Sequence, residues 1–430
     1  MSVRAAVIGG GLSGALQAIH LLREGAAHVT LIERARTPGR GVAYSTDRPE
    51  HLLNVPARRM SAWGDQPDHF VRWYEQRGGA AESFAPRMAF GDYVVEQLAA
   101  AAGEGLEIVR GEAVDVEGKE VLLADGRRIE ADAVVLAPGN LPPATPRGID
   151  PDALGALWVA DPWAPGIADG LGASDTMLLI GTGLTAVDVA LTMEASGFRG
   201  RILALSRRGL VPRAHGPREP MCAPQEALPS DCIALLRRVR RRTAEIGWRS
   251  AVHELRNVTQ SIWAGASEAQ RRRFLRHLRP WWDVHRHKLA PAVGATIDRM
   301  QAEGRLHFAG GRILTVSPDG TVTWRPRGTS APETLKAARI VNCTGPECDI
   351  VRAGEPLLNA LLAKGRIRQD PLRVGIDVDD QCRTLTGSGP SDSLYAIGPV
   401  TRGTFWESVA VPDIRAQAQA VASRIVKAAS

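Results

Sequence analysis

The sequence predicts an α/β protein of two doubly wound domains, with a helical insertion in the second. Two glycine-rich turns predict this fold, because each follows a short apolar strand and opens a helix: GGGLSG at residues 9–14 and GTGLTA at residues 181–186. The turns stand about 170 residues apart, roughly the length of one domain. The 430 residues are 44% hydrophobic and 23% charged, so the chain is long enough to form two cores.

Composition argues against several other classes of protein. No apolar run approaches the ~20 residues of a membrane span, and no basic segment with a cleavage site marks a signal peptide. Five cysteines, an odd number, suit a reducing compartment, so we predict a cytoplasmic protein. Arginine-dense helical patterns between residues 235 and 280 contribute to the net charge of +6. Because no nucleic-acid motif accompanies them, a solvated helical face is favoured over a nucleic-acid patch.

The first glycine-rich turn has the complete signature of a dinucleotide-binding site. Gly9 permits the tight turn, Gly11 lets the backbone approach a pyrophosphate, and Gly14 allows the helix to pack closely on the strand. The helix that follows directs its free N–H groups at the phosphates. The next strand, HVTLIE, ends in Glu33, at the position where a carboxylate receives the ribose hydroxyls of NAD or FAD.

The second glycine-rich turn differs at the position that selects the nucleotide. The strand after its helix, RILALS, ends in a basic turn rather than in an acid. Guanidinium groups and a hydroxyl bind a 2′-phosphate, which a carboxylate would repel, so this turn favours NADPH; a solvated basic loop is the alternative. The candidate NADPH-binding residues are Gly181, Gly183, Leu184, Thr185, Ser206, Arg207 and Arg208.

Three segments favour FAD at the first turn through their resemblance to flavoproteins. TPGRGVAY, from residue 37, resembles the second glycine-rich turn of glutathione reductase relatives and flavin monooxygenases. Alternating short strands that close in AVVLAPGN resemble the β-meander and A-T-G segment of that superfamily, with Pro138 in place of threonine. The strand SLYAIG resembles one that usually ends in Gly-Asp, but Gly398 is followed by Pro399, so the usual aspartate contact to the ribityl chain is in doubt. The candidate FAD-binding residues are Gly9, Gly11, Leu12, Ser13, Gly14, Glu33, Arg34, Gly41, Asn54, Val55, Met60, Val114, Pro138, Gly139, Gly398 and Trp406.

The segment NVP at residues 54–56 supplies the candidate catalytic residue. It resembles the N-x-P segment of flavin-containing monooxygenases, in which an asparagine lies beside the isoalloxazine and the nicotinamide. Asparagine carries both a donor and an acceptor, so Asn54 can support a flavin C4a-peroxide or orient the nicotinamide amide. The alternative is that Asn-x-Pro is a turn that caps the helix from Asp68.

Several phrases along nearly the whole chain, among them HLLNVPARRMSAW, LSRRGLVPRAH and FWESVAVPDIRAQA, resemble the bacterial FAD/NAD(P)-binding protein family related to flavin-containing and N-hydroxylating monooxygenases. The resemblance implies FAD and NADPH as cofactors. We predict an FAD domain from residues 1–165 and 336–430, and an NADPH domain from residues 166–335 that carries the helical insertion at 216–300.

Two further groups of residues are weaker evidence for a functional site. Cys343 and Cys348 have the C-x4-C spacing of a redox dithiol, but they follow a late strand, so coincidence is favoured. His285 and His287, two residues apart, fit poorly as co-ligands on a helix, and we predict no metal site. This inserted helix lines the active-site cleft, where an arginine holds an anionic substrate, or it has only a packing role. The candidate substrate residues are Trp282, His285, Arg286 and Arg402.

The resemblance implies an NADPH-dependent flavoprotein monooxygenase. Such an enzyme uses molecular oxygen to oxidise a nitrogen or another heteroatom of a small polar molecule, through a C4a-(hydro)peroxyflavin. An NADPH–flavin oxidoreductase that inserts no oxygen is one alternative, and a non-catalytic redox-sensing protein is another. No pattern in the sequence names the substrate or the oligomeric state.

Overall fold

A computed structural model describes residues 3–103, 105–216 and 228–429, and it confirms the predicted α/β fold. In chain order the strands are β1 (Arg4–Ile8), β2 (His28–Glu33), β3 (Leu106–Arg110), β4 (Ala113–Glu117), β5 (Glu120–Leu123), β6 (Arg128–Glu130), β7 (Ala133–Leu136), β8 (Trp158–Val159), β9 (Thr176–Ile180), β10 (Arg201–Ser206), β11 (Leu306–Val316), β12 (Thr321–Pro326), β13 (Glu333–Lys336), β14 (Arg339–Asn342), β15 (Arg383–Thr386) and β16 (Gly389–Ala396). The helices are α1 (Leu12–Arg23), α2 (Gly41–Tyr44), α3 (His69–Glu75), α4 (Arg87–Ala101), α5 (Pro151–Leu154), α6 (Leu184–Ala195), α7 (Cys232–Ile246), α8 (Trp248–Glu254), α9 (Thr259–Gly265), α10 (Glu268–Arg273), α11 (Arg279–Arg286), α12 (Pro291–Ala302), α13 (Ile350–Ala353), α14 (Pro356–Ala363) and α15 (Val411–Ala429).

The first sheet has the order β15-β16-β7-β1-β2-β3 and is parallel except for its edge strand β15. Strand β1 is an apolar run because the sheet is covered on both faces. Helix α1 packs against α15 on one face of the sheet. Strands β4, β5 and β6 form a separate antiparallel sheet, at the place where the sequence resembles a β-meander.

The second sheet has the order β13-β12-β11-β10-β9-β14-β8. It is parallel from β11 to β8, and β12 and β13 add an antiparallel edge. Strands β8 and β14 belong to this sheet, but they lie just outside the predicted domain bounds of residues 166 and 335. They are the segments where the chain crosses between the two domains, and they pair with each other at the end of the sheet. The exact domain boundaries therefore stay predictions.

The insertion forms helices α7 to α11, which pack on the C-terminal segment of the first domain. Residues 217–227 of the predicted insertion lie outside the described residues. The rings of Trp263 and Trp406 stack with their centroids 4.7 Å apart, and Trp263 Nε1 donates a hydrogen bond to the carbonyl of Gly403 at 2.8 Å. The insertion thus ties the second domain to the segment just before α15.

The two domains also meet at a pair of charged residues on α4 and α6. Arg87 donates two hydrogen bonds to the Asp188 carboxylate, at 2.7 and 2.8 Å, and donates a third to the carbonyl of Leu52 at 3.2 Å. His51 Nε2 lies 3.1 Å from the carbonyl oxygen of Asp188 and 3.0 Å from Thr192 Oγ1. The segment at residues 51–54 is therefore fixed against the second domain. None of the described helices combines the length and the apolar character that a membrane span requires.

Candidate active site

A cavity of about 670 Å³ opens at the carboxyl ends of β1, β2 and β7. In a doubly wound sheet this is where ligands bind, since neighbouring strands connect in opposite directions there. The cavity is lined by the turn after β1, the turn at residues 37–45 and the loop after β7. The predicted FAD residues that line it are Gly9, Gly11, Leu12, Ser13, Glu33, Arg34, Gly41, Pro138 and Gly139.

The glycines of the first turn let neighbouring backbone segments pack closely because they have no side chains. Gly9 has a φ of +98°, and a Cβ there would stand 2.3 Å from the carbonyl oxygen of Ala137. A Cβ on Gly14 would lie 1.8 Å from the carbonyl oxygen of Gly9, so Gly14 sets the approach of α1 to the turn. A Cβ on Gly11 would lie 3.3 Å from the Cα of Gly41, which brings the two glycine-rich turns together.

The polar groups at the cavity also fit a dinucleotide. Gly11 is the N-cap of α1 and no side chain caps the helix, so the first N–H groups have no partner within the helix. The Glu33 carboxylate accepts hydrogen bonds from the N–H groups of Gly10 at 2.6 Å and Ala35 at 2.7 Å. Each of its oxygens keeps a second lone pair for a ribose hydroxyl. Glu33 is therefore able to fix the glycine-rich turn after β1 and the start of the turn after β2, and still to contact the ribose.

The other predicted FAD residues lie outside the lining of this cavity. Met60 is buried in the core of the first domain, together with Leu53, and Val55 packs against that core. Val114 is next to the lining residue Ala113. Trp406 is 2% exposed and packs between Trp263 and Phe274 of the insertion. The structure thus places Trp406 under the insertion helices, where its ring supports the C-terminal segment.

The Gly-Pro pair at residues 398 and 399 forms a turn beside the cavity. Gly398 has a φ of +77°, and a Cβ there would lie 2.5 Å from Ser13 Oγ, whereas Pro399 lines the cavity. The amide of Gly398 donates to Gln417 Oε1 at 2.7 Å, and Gln417 Nε2 donates to Thr401 Oγ1 at 3.0 Å. Gln417 of α15 therefore holds this turn. The sequence analysis missed that role, since 19 residues separate the two positions.

The second glycine-rich turn repeats the geometry of the first. Gly181 has a φ of +134°, and a Cβ there would lie 2.1 Å from the carbonyl oxygen of Cys343. Gly183 is the N-cap of α6, with no side-chain cap, and it faces open space. Leu184 and Thr185 begin the helix, so their N–H groups are free to bind phosphate.

The basic turn after β10 is shaped by hydroxyl groups. Ser206 Oγ accepts a hydrogen bond from the N–H of Gly209 at 3.0 Å and lies 2.9 Å from Thr182 Oγ1. Because Thr182 donates its proton to the carbonyl of Leu210, Ser206 is the donor to Thr182. Arg207 is exposed, and its side chain forms neither a hydrogen bond nor an ion pair within the described chain. The side chain of Arg208 donates one long hydrogen bond, of 3.5 Å, to the carbonyl oxygen of Arg276. Both guanidinium groups therefore remain available to an anion.

Asn54 lies on the segment between the two domains. Leu52 packs against the core of the second domain, and Leu53 is buried in the core of the first. The carbonyl oxygen of Asn54 is 3.0 Å from His215 Nε2 of the second domain. Its side chain forms no hydrogen bond with any described residue, and α3 begins at His69 with Asp68 as its N-cap. The Asn54 amide thus does not cap this helix and is available to a bound molecule.

The predicted substrate residues separate into two groups. His285 Nδ1 lies 2.7 Å from Trp281 O, and its ring packs edge-on against Trp248, so it faces α8. Arg286 Nη2 instead donates to Glu407 Oε2 at 2.8 Å. Arg402 lies over the ring of Trp406, with Cζ 4.4 Å from its centroid. Arg286 and Arg402 thus share a location, and neither Trp282 nor His285 is joined to it by a hydrogen bond or a ring contact among the described residues.

His287 belongs to this charged location, although the sequence analysis selected His285. Burial, together with the guanidinium groups of Arg286, Arg402 and Arg256, lowers the pKa of His287 to about 3, so its imidazole is neutral. His285 lies within α11, whereas His287 follows the helix, with a φ of −96° and a ψ of 79° that are not helical. The two histidines therefore have different surroundings, namely Trp248 for His285 and the arginine side chains for His287.

Thiol and metal chemistry find little support in the described residues. Cys343 and Cys348 are both free, and burial raises the pKa of the Cys343 thiol, which keeps it protonated and unreactive. No group of three or more histidine, cysteine or carboxylate side chains in the described part of the chain is arranged to hold a metal ion.

The N-terminal part of the chain is similar to a known family. Residues 6–141 match the model of a family described as FAD-NAD(P)-binding. This range contains the first turn, Glu33, the segment at 54–56 and the loop after β7. No curated protein matches the sequence significantly.

Solved structures match the chain over its full length. The ornithine N-hydroxylase of Kutzneria sp. 744, solved with reduced FAD, NADP⁺ and L-ornithine, is 16% identical with a TM-score of 0.67, and both chains are covered completely. The L-lysine 6-monooxygenase of Pseudomonas syringae is 16% identical with a TM-score of 0.62, and the bacillithiol disulfide reductase of Staphylococcus aureus is 12% identical with a TM-score of 0.60, again with complete coverage of both chains. Residues 6–141 are thus similar to an FAD-NAD(P)-binding family, and the whole chain has the fold of the ornithine N-hydroxylase, the L-lysine 6-monooxygenase and the bacillithiol disulfide reductase.

Proposed function

We propose that this protein is an NADPH-dependent flavoprotein monooxygenase that oxidises a nitrogen or another heteroatom of a small polar molecule. The observation that carries the proposal is the position of Asn54, whose side-chain amide bonds no described residue, on a segment that contacts both nucleotide-binding domains. Bound FAD supplies the redox chemistry, namely acceptance of hydride and activation of oxygen. A group that orients a nicotinamide next to the flavin belongs at such a junction.

The residues of the two turns have separate roles in this proposal. The N–H groups at the start of α1 hold the FAD pyrophosphate, and Glu33 holds the ribose. The start of α6 holds the NADPH pyrophosphate, and Arg207 and Arg208 hold its 2′-phosphate. Asn54 orients the nicotinamide amide or the reacting oxygen through its donor and acceptor.

The fold relatives favour amine oxidation within this class. One of them is named an ornithine N-hydroxylase and another an L-lysine 6-monooxygenase. In the proposed reaction NADPH gives two electrons, one oxygen atom of O₂ enters the substrate, and the other leaves as water. An N-hydroxylated amine is the product that this balance predicts.

The experiment is NADPH oxidation by the FAD-loaded protein in ¹⁸O₂ with a panel of small amines. We expect an amine that accelerates NADPH oxidation and a product that carries one ¹⁸O atom, identified by mass spectrometry. NADPH oxidation coupled to a dye acceptor, with no ¹⁸O in any product, would instead indicate an oxidoreductase without oxygen insertion. If NADPH is bound but never oxidised, a redox-sensing protein is the better description.

A further inference from the structure

The insertion and the basic turn after β10 come into contact at Arg276. Nη2 of Arg208 donates a hydrogen bond of 3.5 Å to the carbonyl oxygen of Arg276, 68 residues further along the chain. The bond is long, and so weak, but it shows which part of the insertion lies beside the basic turn. That part is the segment between α10 and α11.

This segment, Phe274–Leu278, is a π-helical turn, which we call the π-turn. Turns of this kind are rare and are frequently found at functional sites. An aromatic contact anchors the π-turn: the ring centroid of Phe274 lies 5.3 Å from that of Trp406 and 6.0 Å from that of Trp263. Arg276, two residues further on, is exposed. The π-turn is therefore fixed on the C-terminal segment of the first domain, and it presents Arg276 to solvent beside the basic turn.

The arginines of this helical region differ in whether they have an acidic partner. Arg272 of α10 pairs with Glu268 at 2.7 Å, and Arg279 of α11 pairs with Asp283 at 3.4 Å. The side chain of Arg276, which lies between them in the chain, forms neither a hydrogen bond nor an ion pair with any described residue. Both carboxylates are thus already neutralised, and the charge of Arg276 is available to a ligand.

Arg276 brings a third guanidinium group to a turn where Arg207 and Arg208 already lack an acidic partner among the described residues. Like charges at short range repel one another, and an anion that binds among them relieves the repulsion. A phosphate monoester suits such a site, since it carries a charge of about −1.5 to −2 near pH 7 and three acceptor oxygens. Because a guanidinium group binds phosphate through two parallel hydrogen bonds, several such groups can share one phosphate.

We propose that Arg276 binds the 2′-phosphate of NADPH together with Arg207 and Arg208, so that the insertion takes part in the choice of NADPH over NADH. This inference rests on the proposed function, which assigns the second glycine-rich turn to NADPH. Because the Arg276 carbonyl contacts the Arg208 guanidinium, an anion bound to Arg208 lies within reach of the long Arg276 side chain. The arginine-dense pattern around residue 276, which the sequence alone assigns to a solvated face, then has a role in nucleotide selection.

The test isolates the 2′-phosphate from the rest of the nucleotide. FAD-loaded oxidised protein is titrated with adenosine 2′,5′-bisphosphate and with 5′-AMP, which differ only in that group, by isothermal titration calorimetry at constant ionic strength. We expect the wild type to bind the bisphosphate more tightly, and Arg276→Gln to reduce the ratio of the two affinities by about tenfold or more. Arg276→Lys should keep part of the preference. Both variants retain the backbone carbonyl at residue 276, so the acceptor for Arg208 is unchanged.

Arg237→Gln is the matched control, because it removes one exposed arginine from α7 of the same insertion and changes the net charge equally. It should leave the ratio of the two affinities at the wild-type value. All three variants should bind 5′-AMP as the wild type does, since 5′-AMP has no 2′-phosphate.

Three results would overturn the proposal. The first is an unchanged ratio in Arg276→Gln, and the second is an equal fall in Arg237→Gln, which would indicate only a general positive field. The third is an equal loss of affinity for both nucleotides in Arg276→Gln, which would place this residue outside the phosphate site. If the wild type does not distinguish the two nucleotides, the proposal and the assignment of the basic turn to NADPH are both wrong. The proposed monooxygenase fails by a different result, absence of ¹⁸O transfer, which leaves these binding data unaffected.

Discussion

Single glycines of the first turn differ in how they would respond to an added methyl group. Gly14 has no room for one, because a Cβ there would stand 1.8 Å from the carbonyl oxygen of Gly9. Gly11 has a φ of −66° and a ψ of −168°, which alanine adopts readily, and its closest neighbour would be the Cα of Gly41 at 3.3 Å. Gly14 therefore serves folding, whereas Gly11 serves the approach of the ligand.

This difference predicts opposite outcomes for two alanine variants. Gly11→Ala should fold but lose most of its FAD, because the methyl group stands where backbone meets phosphate. Gly14→Ala should give little folded protein at all. Far-UV circular dichroism and the FAD released on denaturation measure the two effects. Full FAD occupancy in folded Gly11→Ala would contradict the assignment of this turn to the pyrophosphate.

Arg207 and Arg208 are expected to select NADPH over NADH. Each charged contact to the 2′-phosphate contributes on the order of 1.5–3 kcal/mol, so replacing both by alanine should reduce the NADPH preference by about a hundredfold or more. The preference is measured as the ratio of kcat/KM for flavin reduction by the two nucleotides. Arg199→Ala, in the exposed turn between α6 and β10, serves as the control and should leave the ratio unchanged. An unchanged ratio in the double variant would mean that the turn is only solvated surface.

Asn54→Ala tests the proposed catalytic residue. FAD content and folding should stay near the wild type, because the side chain bonds no described residue. Loss of one preorganised donor typically costs about 2.7–4 kcal/mol, enough for NADPH oxidation to release mainly hydrogen peroxide. The measurement is hydrogen peroxide formed per NADPH oxidised, with Arg58→Ala, a surface variant on the same segment, as the control. Wild-type coupling in Asn54→Ala would leave this residue without a catalytic role.

At the scale of elements, the parts that could be predicted are those governed by local sequence. In both domains the strand, the glycine-rich turn and the following helix were correctly predicted, because the three lie within about 30 residues. Only glycines allow the tight turn and the close packing of the helix on the strand. The packing of the insertion could not be predicted, since contacts such as Trp263 with Trp406 join residues far apart in the chain. Local pattern also could not decide which of two nearby histidines faces inward, because that depends on where α11 packs.

The ion pair between α4 and α6 gives a prediction about the contact of the two domains. Arg87 and Asp188 have side chains that are 18% and 6% exposed, so removal of one partner leaves a buried charge. Arg87→Ala should lower the free energy of unfolding by about 3 kcal/mol or more, measured by urea denaturation. Arg4→Ala breaks an exposed pair with Glu130, whose two side chains are 52% and 65% exposed, and should cost less than about 1 kcal/mol. Equal effects of the two substitutions would show that the inter-domain pair is solvated.

At the scale of the whole molecule, stability should depend on pH through histidines that fold in the neutral form. His20 is 1% exposed, and burial lowers its pKa to about 4, whereas its ordinary value is 6.5. His287 behaves in the same way, with a pKa lowered to about 3. Above pH 6.5 both are neutral in the folded and unfolded chains, so they contribute no pH dependence there. As the pH falls below 6.5 only the unfolded chain takes up protons, and the folded state loses stability until the folded pKa is reached.

We therefore predict a free energy of unfolding that declines between pH 6.5 and about pH 4. For His20 the two pKa values differ by about 2.5 units, and at about 1.4 kcal/mol per unit the loss approaches about 3 kcal/mol. The His20→Leu variant removes the titrating group, so its stability should fall less steeply over this range, whatever its stability at pH 7. His28→Leu, at a partly exposed site, controls for the loss of a histidine. Urea denaturation at half-unit steps of pH measures these slopes. Identical slopes in the wild type and in His20→Leu would mean that His20 is protonated in the folded protein as readily as in the unfolded chain.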